Sequence, residues 1–477
     1  VRFPFSRFVP FAFSSLTFAL AACNGGATVG SAPLGPGAPG ATMSASPSAT
    51  PKSGATPSPT PGASASASAT PAPSATPSAG ASPTAVATNA SGTPLLQHVF
   101  LLILENQAED NTFGSLMPVP YLSATVAGQG AFVPNYYGTS HNSLGNYISL
   151  FSGQSVTTLN QEDCPVYTQI LASTLAAYNQ ISGTGCVYPA TVTTLEDQLA
   201  GAKYTAKGYM EDMGNDTTRE AATCGQTQPT ATTGVYASPD LTQTAQAGNA
   251  LQPTDQYAMR HNPWPYFMSV ISSGACAAQV RPLNDSTLAA DLKSVATTAN
   301  FTWITPNLCN DGHDVPCSAA GDAGNTTSTY DNENAFLQKW IPLIVRSPAF
   351  LQDGLLIVTF DESSPAKNAQ VGTDTTTDSS SCCQESIEVD PNTSKPGSPP
   401  GDNYADGSGG GRTGTVILSP FIAPGTVTSA SYNHYNTLRS IEDEFGLAHL
   451  GFAAYPQTGT FGSDIFGAAP TRHTIAL

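Results

Sequence analysis

Four apolar runs stand out along the chain: HVFLLILEN (98–106), FTWITPN (301–307), GLLIVTFDES (354–363) and GTVILSPFI (414–422). Each is continuous and β-rich rather than alternating, which predicts strands buried on both faces, as in a parallel sheet. Between them the period changes. STLAADLKSVA (286–296), ENAFLQKWIPLIVRS (333–347) and YNTLRSIEDEFGL (435–447) place apolar residues at helical spacing, and the last meets Gly446 near its end. SLGNYISLFSG (143–153) has the same spacing and also ends on a glycine. Strands alternating with helices predict an α/β fold on a mainly parallel sheet. Ligands gather at the carboxyl ends of such strands, where Glu105, Asn106, Asp361 and Glu362 fall. The polar stretch 365–413 has no period and is expected to be a loop inserted near that end.

The first 94 residues are of another kind. Arg2 and Arg7 precede an apolar run through Phe11, Phe13, Leu16, Phe18 and Leu20, the pattern of an export signal. It ends in Leu20-Ala21-Ala22-Cys23, which resembles the lipobox of bacterial lipoproteins, where the Cys is lipidated and becomes the mature N-terminus. The alternative is an ordinary secretory signal cut near Ala22. Cys23 is the only Cys before Cys164 and stands at the needed place, which favours the lipobox. Ser14, Ser15 and Thr17 interrupt the run, which is too short to span a bilayer. Residues 24–94 are mostly Pro, Ala, Ser, Thr and Gly, with Lys52 as the single charge. Such chain cannot bury enough apolar surface to offset its ordering entropy, so a disordered stalk is expected. The expected division is therefore 1–23 leader and lipobox Cys, 24–94 linker, and 95–477 catalytic domain. The molecule is expected at the outer face of a bacterial cell membrane or envelope, with the membrane as a partner through its lipid anchor.

Charge narrows the chemistry. All 34 acidic residues lie at or after Glu105, with 13 of the 16 basic ones, so the domain carries a formal net charge of −21. That excludes the basic footprint a nucleic-acid binder needs. An acidic soluble surface accounts for most of it, and a set of carboxylates around metal would account for some. Eight Cys follow Cys23, an even number that predicts disulfides in an oxidising compartment. Cys309–Cys317 is the best local pair, followed by Cys164–Cys186 and Cys224–Cys276. A bond between the adjacent Cys382 and Cys383 would close a strained ring.

Candidate chemistry clusters at strand ends and helix entrances. Adjacent carboxylates such as Asp361-Glu362 repel each other unless a cation intervenes. LCNDGHD places Asp311, His313 and Asp314 together, all metal-ligating types. His434 precedes a helix and His261 lies in MRHNPWPYF; each alone is more often structural.

Taken as a set, HVFLLILENQAEDNTFG, GTSHNSLGNYISLFSG, YMEDM, RHNPWPYF, FTWITPNLCNDGHD, LLIVTFDES and YNHYNTLRSIEDEFGLAHLG resemble the bacterial phosphoesterase family that includes acid phosphatases and phosphocholine-preferring phospholipases C. The likeness runs over residues 95–467. It implies the three-layer α/β/α sandwich of the alkaline phosphatase superfamily and metal-assisted hydrolysis of phosphoric esters. Glu105 and Asn106 match the family's metal-binding pair after the first strand. Asp361 and Glu362 match its later acidic pair, which is Asp-Asp in many relatives. His434 matches the His before the C-terminal helix. Asp311, His313 and Asp314 match an Asp/His cluster, with the division between metal and phosphate contacts left open. Ser143 matches the nucleophile, with Gly145 where Pro is common in nucleotide pyrophosphatases.

The implied cofactor is a divalent metal ion that activates Ser143 and polarises the phosphate. A helix entrance at Ser143 would offer N–H groups to phosphate oxygens. Asn146 would donate to the same oxygens, and His141 would contact them or the leaving group. His313, His434 or His261 would protonate the leaving oxygen. A phosphomonoesterase of the acid phosphatase kind is the leading expectation. A phospholipase C-type phosphodiesterase and a non-catalytic surface-anchored binding protein are the alternatives. A sulfatase lacks support, because no Cys-x-Pro-x-Arg motif is present.

Overall fold

The computed structural model describes residues 86–89, 92–114, 117–155, 157, 159–227, 237–243, 255–314, 328–364, 378, 380–383 and 409–477. They all belong to one compact unit, Ala79–Leu477. The expected leader with Cys23, the linker up to residue 85, Cys317 and most of 365–413 lie outside them.

An eight-stranded sheet organises the domain. Its strands are β1 (His98–Leu104), β2 (Ala131–Val133), β3 (Ala206–Met210), β4 (Val280–Pro282), β5 (Phe301–Thr305), β6 (Gly354–Phe360), β7 (Thr415–Leu418) and β8 (Thr426–Val427). They lie in the order β8-β2-β7-β6-β1-β5-β3-β4. The central strand β1 pairs parallel with both β5 and β6, and β3 and β4 extend the parallel half. β7 runs antiparallel to both β6 and β2. The three long apolar runs are thus the parallel centre, and the fourth turns back as an antiparallel neighbour. β3 and β4 were not legible: AKGYM and VRP carry no apolar run.

Side chains of β1 alternate between two cores. Val99, Leu101 and Ile103 pack on one face with Leu144, Tyr147, Ile148 and Phe151 of α1 (Ser143–Ser152), Leu195 and Leu199 of α2 (Leu195–Gly201), and Leu438 and Ile441. Phe100, Leu102 and Leu104 pack on the other with Phe336, Trp340, Ile341 and Ile344 of α3 (Thr329–Val345). Leu438 and Ile441 belong to α4 (His434–Phe445). Helices therefore cover both faces, and the fold is the expected three-layer α/β/α sandwich. α4 ends on Gly446 at φ 64°, where a left-handed backbone favours glycine. The helix expected over 286–296 is confined to Leu288–Asp291.

The end of the expected linker includes described residues. Residues 86–89 and 92–94 are laid on the domain: Leu95 N–H donates to the Ala87 carbonyl at 2.8 Å, and Thr93 Oγ1 donates to Glu444 Oε1 at 3.2 Å. Residues 86–89 and 92–94 of the expected linker thus contact the domain that follows.

Cys164–Cys186 and Cys224–Cys276 are bonded as expected, and Cys382–Cys383 are bonded to each other despite their adjacency. Cys309 is also disulfide-bonded, while its expected partner Cys317 lies outside the described residues.

Candidate active site

β1, β5 and β6 end side by side and deliver Glu105, Asp311 and Asp361 to one place. Glu105 N–H donates to the Asp311 carbonyl at 3.0 Å, and Asn106 N–H donates to Asp361 Oδ1 at 2.9 Å. Gly138 lets a neighbouring loop approach, since a Cβ there would stand 2.8 Å from the Asp361 carbonyl.

Ser143 is the first residue of α1 and is 6 % exposed. Its Oγ donates to Glu105 Oε2 at 2.7 Å. One turn on, the Tyr147 hydroxyl donates to Glu105 Oε1 at 2.6 Å. His261 Nε2 lies 3.2 Å from that same oxygen, and its ring stacks on Tyr147 at 5.3 Å between centroids. Glu105, His261 and Asp314 each present a ligand-type atom within 4.8 Å of the others. His141 Nδ1 pairs with Glu362 Oε2, and its Nε2 lies 3.0 Å from the Asp378 carbonyl.

The site has more negative charge than the chain answers. Burial pushes the carboxyls of Glu105, Asp311 and Asp361 well above the usual range, and mutual repulsion adds to it: Asp361 on Glu105, Asp314 on Asp311, Glu362 on Asp361. Asn106 Oδ1, Asp311 Oδ2 and Asp361 Oδ2 are buried with no hydrogen-bond partner among the described residues. Burial, Arg260 and His313 hold His261 well below its ordinary value, hence neutral. Burial also pulls on His141, but the hydrogen bond and charge of Glu362 outweigh it and raise that imidazole.

Residues 117–448, most of the chain, match the phosphoesterase family. This chain is a member of the phosphoesterase family. It is a phosphoric ester hydrolase. It is 23 % identical over 383 residues to a phosphatidylinositol-3-phosphatase of Mycobacterium tuberculosis, covering 79 % of this chain and 87 % of that protein. It is 25 % identical over 238 residues to a phosphate-repressible acid phosphatase of Penicillium chrysogenum, covering 50 % of this chain and 42 % of the other. Among solved structures, an alkaline phosphatase superfamily protein from Vibrio parahaemolyticus aligns with a TM-score of 0.40 and 10 % identity, over 78 % of this chain and 71 % of that one.

Three of the expected site residues in this phosphoesterase are placed as follows. The Asn146 amide is engaged with the 139–140 turn. Its Oδ1 accepts from Thr139 N–H and Ser140 N–H, both at 2.9 Å, and its Nδ2 donates to the Ser140 carbonyl at 2.8 Å. The amide is spent on the turn that carries His141. His434 does not offer a ring nitrogen to the carboxylates. Nε2 lies 2.5 Å from the Asp361 backbone carbonyl and Nδ1 lies 3.1 Å from the Tyr136 hydroxyl; burial lowers it to about 4, so it is a neutral prop for the end of β6. His313 is exposed at the rim rather than within the cluster.

The entrance of α1 also differs from expectation, because the Leu144 N–H is already taken by Asp163 Oδ1 at 2.9 Å. Sequence reasoning missed Asp163, Arg260 and Tyr147. Arg260 Nη2 donates to Asp314 Oδ2 at 3.1 Å, and Nε lies 4.0 Å from Asp163 Oδ2. Tyr147 was findable: it stands four residues after Ser143, on the same helical face. Asp163 sits in a turn and Arg260 in a single 3-10 turn, Met259–His261, too short for a period to mark either.

Proposed function

We propose that this phosphoesterase is a metal-dependent phosphomonoesterase with Ser143 as its nucleophile. The observation that carries the reading is the Ser143 hydroxyl, 2.7 Å from Glu105, beside carboxylates whose buried oxygens lack partners. Those orphaned oxygens fit a divalent cation, which neutralises repulsion that burial alone makes costly. Glu105, Asn106, Asp361 and Glu362 would hold it, with Asp311, Asp314 and His261 as further ligand-type groups nearby. When bound, it supplies Lewis-acid stabilisation of the phosphoryl oxygens and a lowered pKa for the serine hydroxyl.

The chain's own residues do the rest. The Ser143 proton leaves towards Glu105 Oε2 as Oγ bonds to phosphorus and the ester P–O bond breaks. His313, exposed at the rim, gives a proton to the departing oxygen. Water then cleaves the Oγ–P bond and returns Ser143. Tyr147 and His261 fix the Glu105 carboxylate during both steps.

Phosphomonoesters are favoured over phospholipid diesters for two reasons. Both relatives are named as phosphatases, and a net charge of −21 over the domain opposes close approach to anionic lipid surfaces. We place the protein at the outer face of a bacterial envelope, anchored through Cys23; Cys23→Ser should then release it into the soluble fraction.

Ser143→Ala tests the reading. Turnover of p-nitrophenyl phosphate should fall on the order of 10³-fold or more while the fold persists. Acid quench with a labelled substrate should trap phosphate on a peptide containing Ser143 in the parent and none in the variant. Full activity in Ser143→Ala, or faster turnover of phosphatidylcholine than of p-nitrophenyl phosphate, overturns it.

A further inference from the structure

Resting on that reading, we infer that Asp163 is a positioning residue for the nucleophile, anchored by Arg260. The residue before Ser143 cannot do this work. Asn142 stands at the N-cap of α1 with φ 69°, and its side chain makes no cap hydrogen bond. Its amide reaches instead to the Gln161 carbonyl. A helix whose own cap residue leaves the first N–H groups unanswered frays at that turn. Here the turn that would fray holds Ser143.

The chain supplies the cap from twenty residues on. Asp163 Oδ1 accepts the Leu144 N–H at 2.9 Å, so the segment 159–164 grips the helix entrance twice, through Gln161 and through Asp163. That segment is itself fixed. Cys164 N–H donates to the Leu159 carbonyl at 2.7 Å, and Cys164 is bonded to Cys186.

Asp163 is held from behind as well. Gln243 Nε2 donates to its backbone carbonyl at 2.6 Å, and Arg260 Nη1 donates to the Gln243 carbonyl at 3.0 Å. Arg260 Nε faces Asp163 Oδ2 at 4.0 Å, while Nη2 holds Asp314. Arg260 is 6 % exposed, and a guanidinium that buried is placed by its partners. The next residue, His261, stands against Glu105, which receives the Ser143 hydroxyl. A closed circuit results: Ser143, Leu144, Asp163, Arg260, His261, Glu105 and back to Ser143. Its product is the direction of one Oγ. Asp163 acts through the Leu144 N–H rather than through a contact with the Ser143 hydroxyl.

Asp163→Ala and Asp163→Asn in the full chain separate aim from mere stability. Asparagine keeps an acceptor for the Leu144 N–H, and alanine does not. With p-nitrophenyl phosphate well below the unfolding temperature, alanine should lower kcat about 10²-fold, the scale of a 1 Å misplacement, with KM within about threefold. Asparagine should recover most of kcat, and the rate of phosphoenzyme formation should follow kcat in both. Equal loss in the two variants, or no loss in either, overturns the inference. If alanine does not fold, Asp163→Ser, too short to reach the N–H, carries the same expectation. Ser143→Ala in the same assay keeps the two claims apart. An inactive Ser143→Ala beside a fully active Asp163→Ala removes only the role of Asp163, whereas an active Ser143→Ala removes the nucleophile itself.

Discussion

Two acidic patches, one buried and one partly buried, lie at the carboxyl ends of neighbouring strands, and they are finished differently. Beyond β3 and β5, Glu211 Oε2 accepts from Asn307 N–H and Asn310 Nδ2, both at 3.0 Å. Asp212 Oδ2 accepts from Gln256 N–H at 3.1 Å and Asn307 Nδ2 at 2.8 Å. Arg219 pairs with Asp255 at 2.8 Å. Glu220, next to them, keeps one oxygen without a hydrogen-bond partner among the described residues, but burial and Asp255 push it up to about 8, so a proton answers it. Beyond β1 and β6, Ser143 and Tyr147 donate to Glu105 and the Asn106 N–H to Asp361 Oδ1, but Asn106 Oδ1, Asp311 Oδ2 and Asp361 Oδ2 keep no hydrogen-bond partner among the described residues. Arg260, the guanidinium nearest this patch among the described residues, is turned towards Asp314 and Asp163. Acidity alone therefore does not mark a functional site. What sets the second patch apart is that three orphaned oxygens, on Asn106, Asp311 and Asp361, accompany carboxylates that burial and repulsion raise together.

The contrast can be broken most sharply at Asp361. Asp361→Asn should lower turnover by about 10²–10³-fold, the scale of losing one electrostatic group at a transition state. It should also raise the unfolding temperature of chelator-treated protein, because repulsion with Glu105 and Glu362 is relieved. A fall in both would place Asp361 with the structural patch. Metal removal is next in size. Excess chelator should abolish activity, and returning a divalent ion at 100 times its Kd should stabilise the fold by about 2.7 kcal/mol, read as a higher Tm. Asp361→Asn should flatten that response; an equal response in Asp361→Asn and parent would move the cation elsewhere.

The smallest effect belongs to the finished patch. The folded-state pKa of Glu220 is raised above its unfolded value, so its stabilising contribution is full below about pH 4.5. It is lost as pH rises through about 8. Glu220→Gln should remove that loss, leaving the variant more stable than the parent near pH 9 with kcat within about twofold, since the site is untouched. A large fall in kcat would join the two patches into one.

The parts of the site on regular elements were legible. Glu105, Asn106, Asp361 and Glu362 end apolar runs, and a strand end is readable from where hydrophobicity stops. Ser143 opens a helical pattern. Residue types were read better than directions: the amide of Asn146 and the ring of His434 are present as expected but turned onto backbone carbonyls, which only folding of the 139–140 turn and of β6 decides. Asp163, Gln243 and Arg260 meet across loops, so nothing in their local sequence announces the meeting. The same holds for β3 and β4, whose pairing comes from the sheet they join rather than from their own composition.

The alternation of β1 has a cost in what the chain can tolerate. Its seven residues are a seam between two interiors and also the ruler that sets Glu105 beneath Ser143. Adding or removing one residue there would exchange the two sets of side chains and slide the carboxylate by about 3.3 Å. Interior and chemistry would go out of phase together, with no partial version of the error. Length variation among descendants of this chain should therefore fall in its loops and leave this strand's reading frame intact.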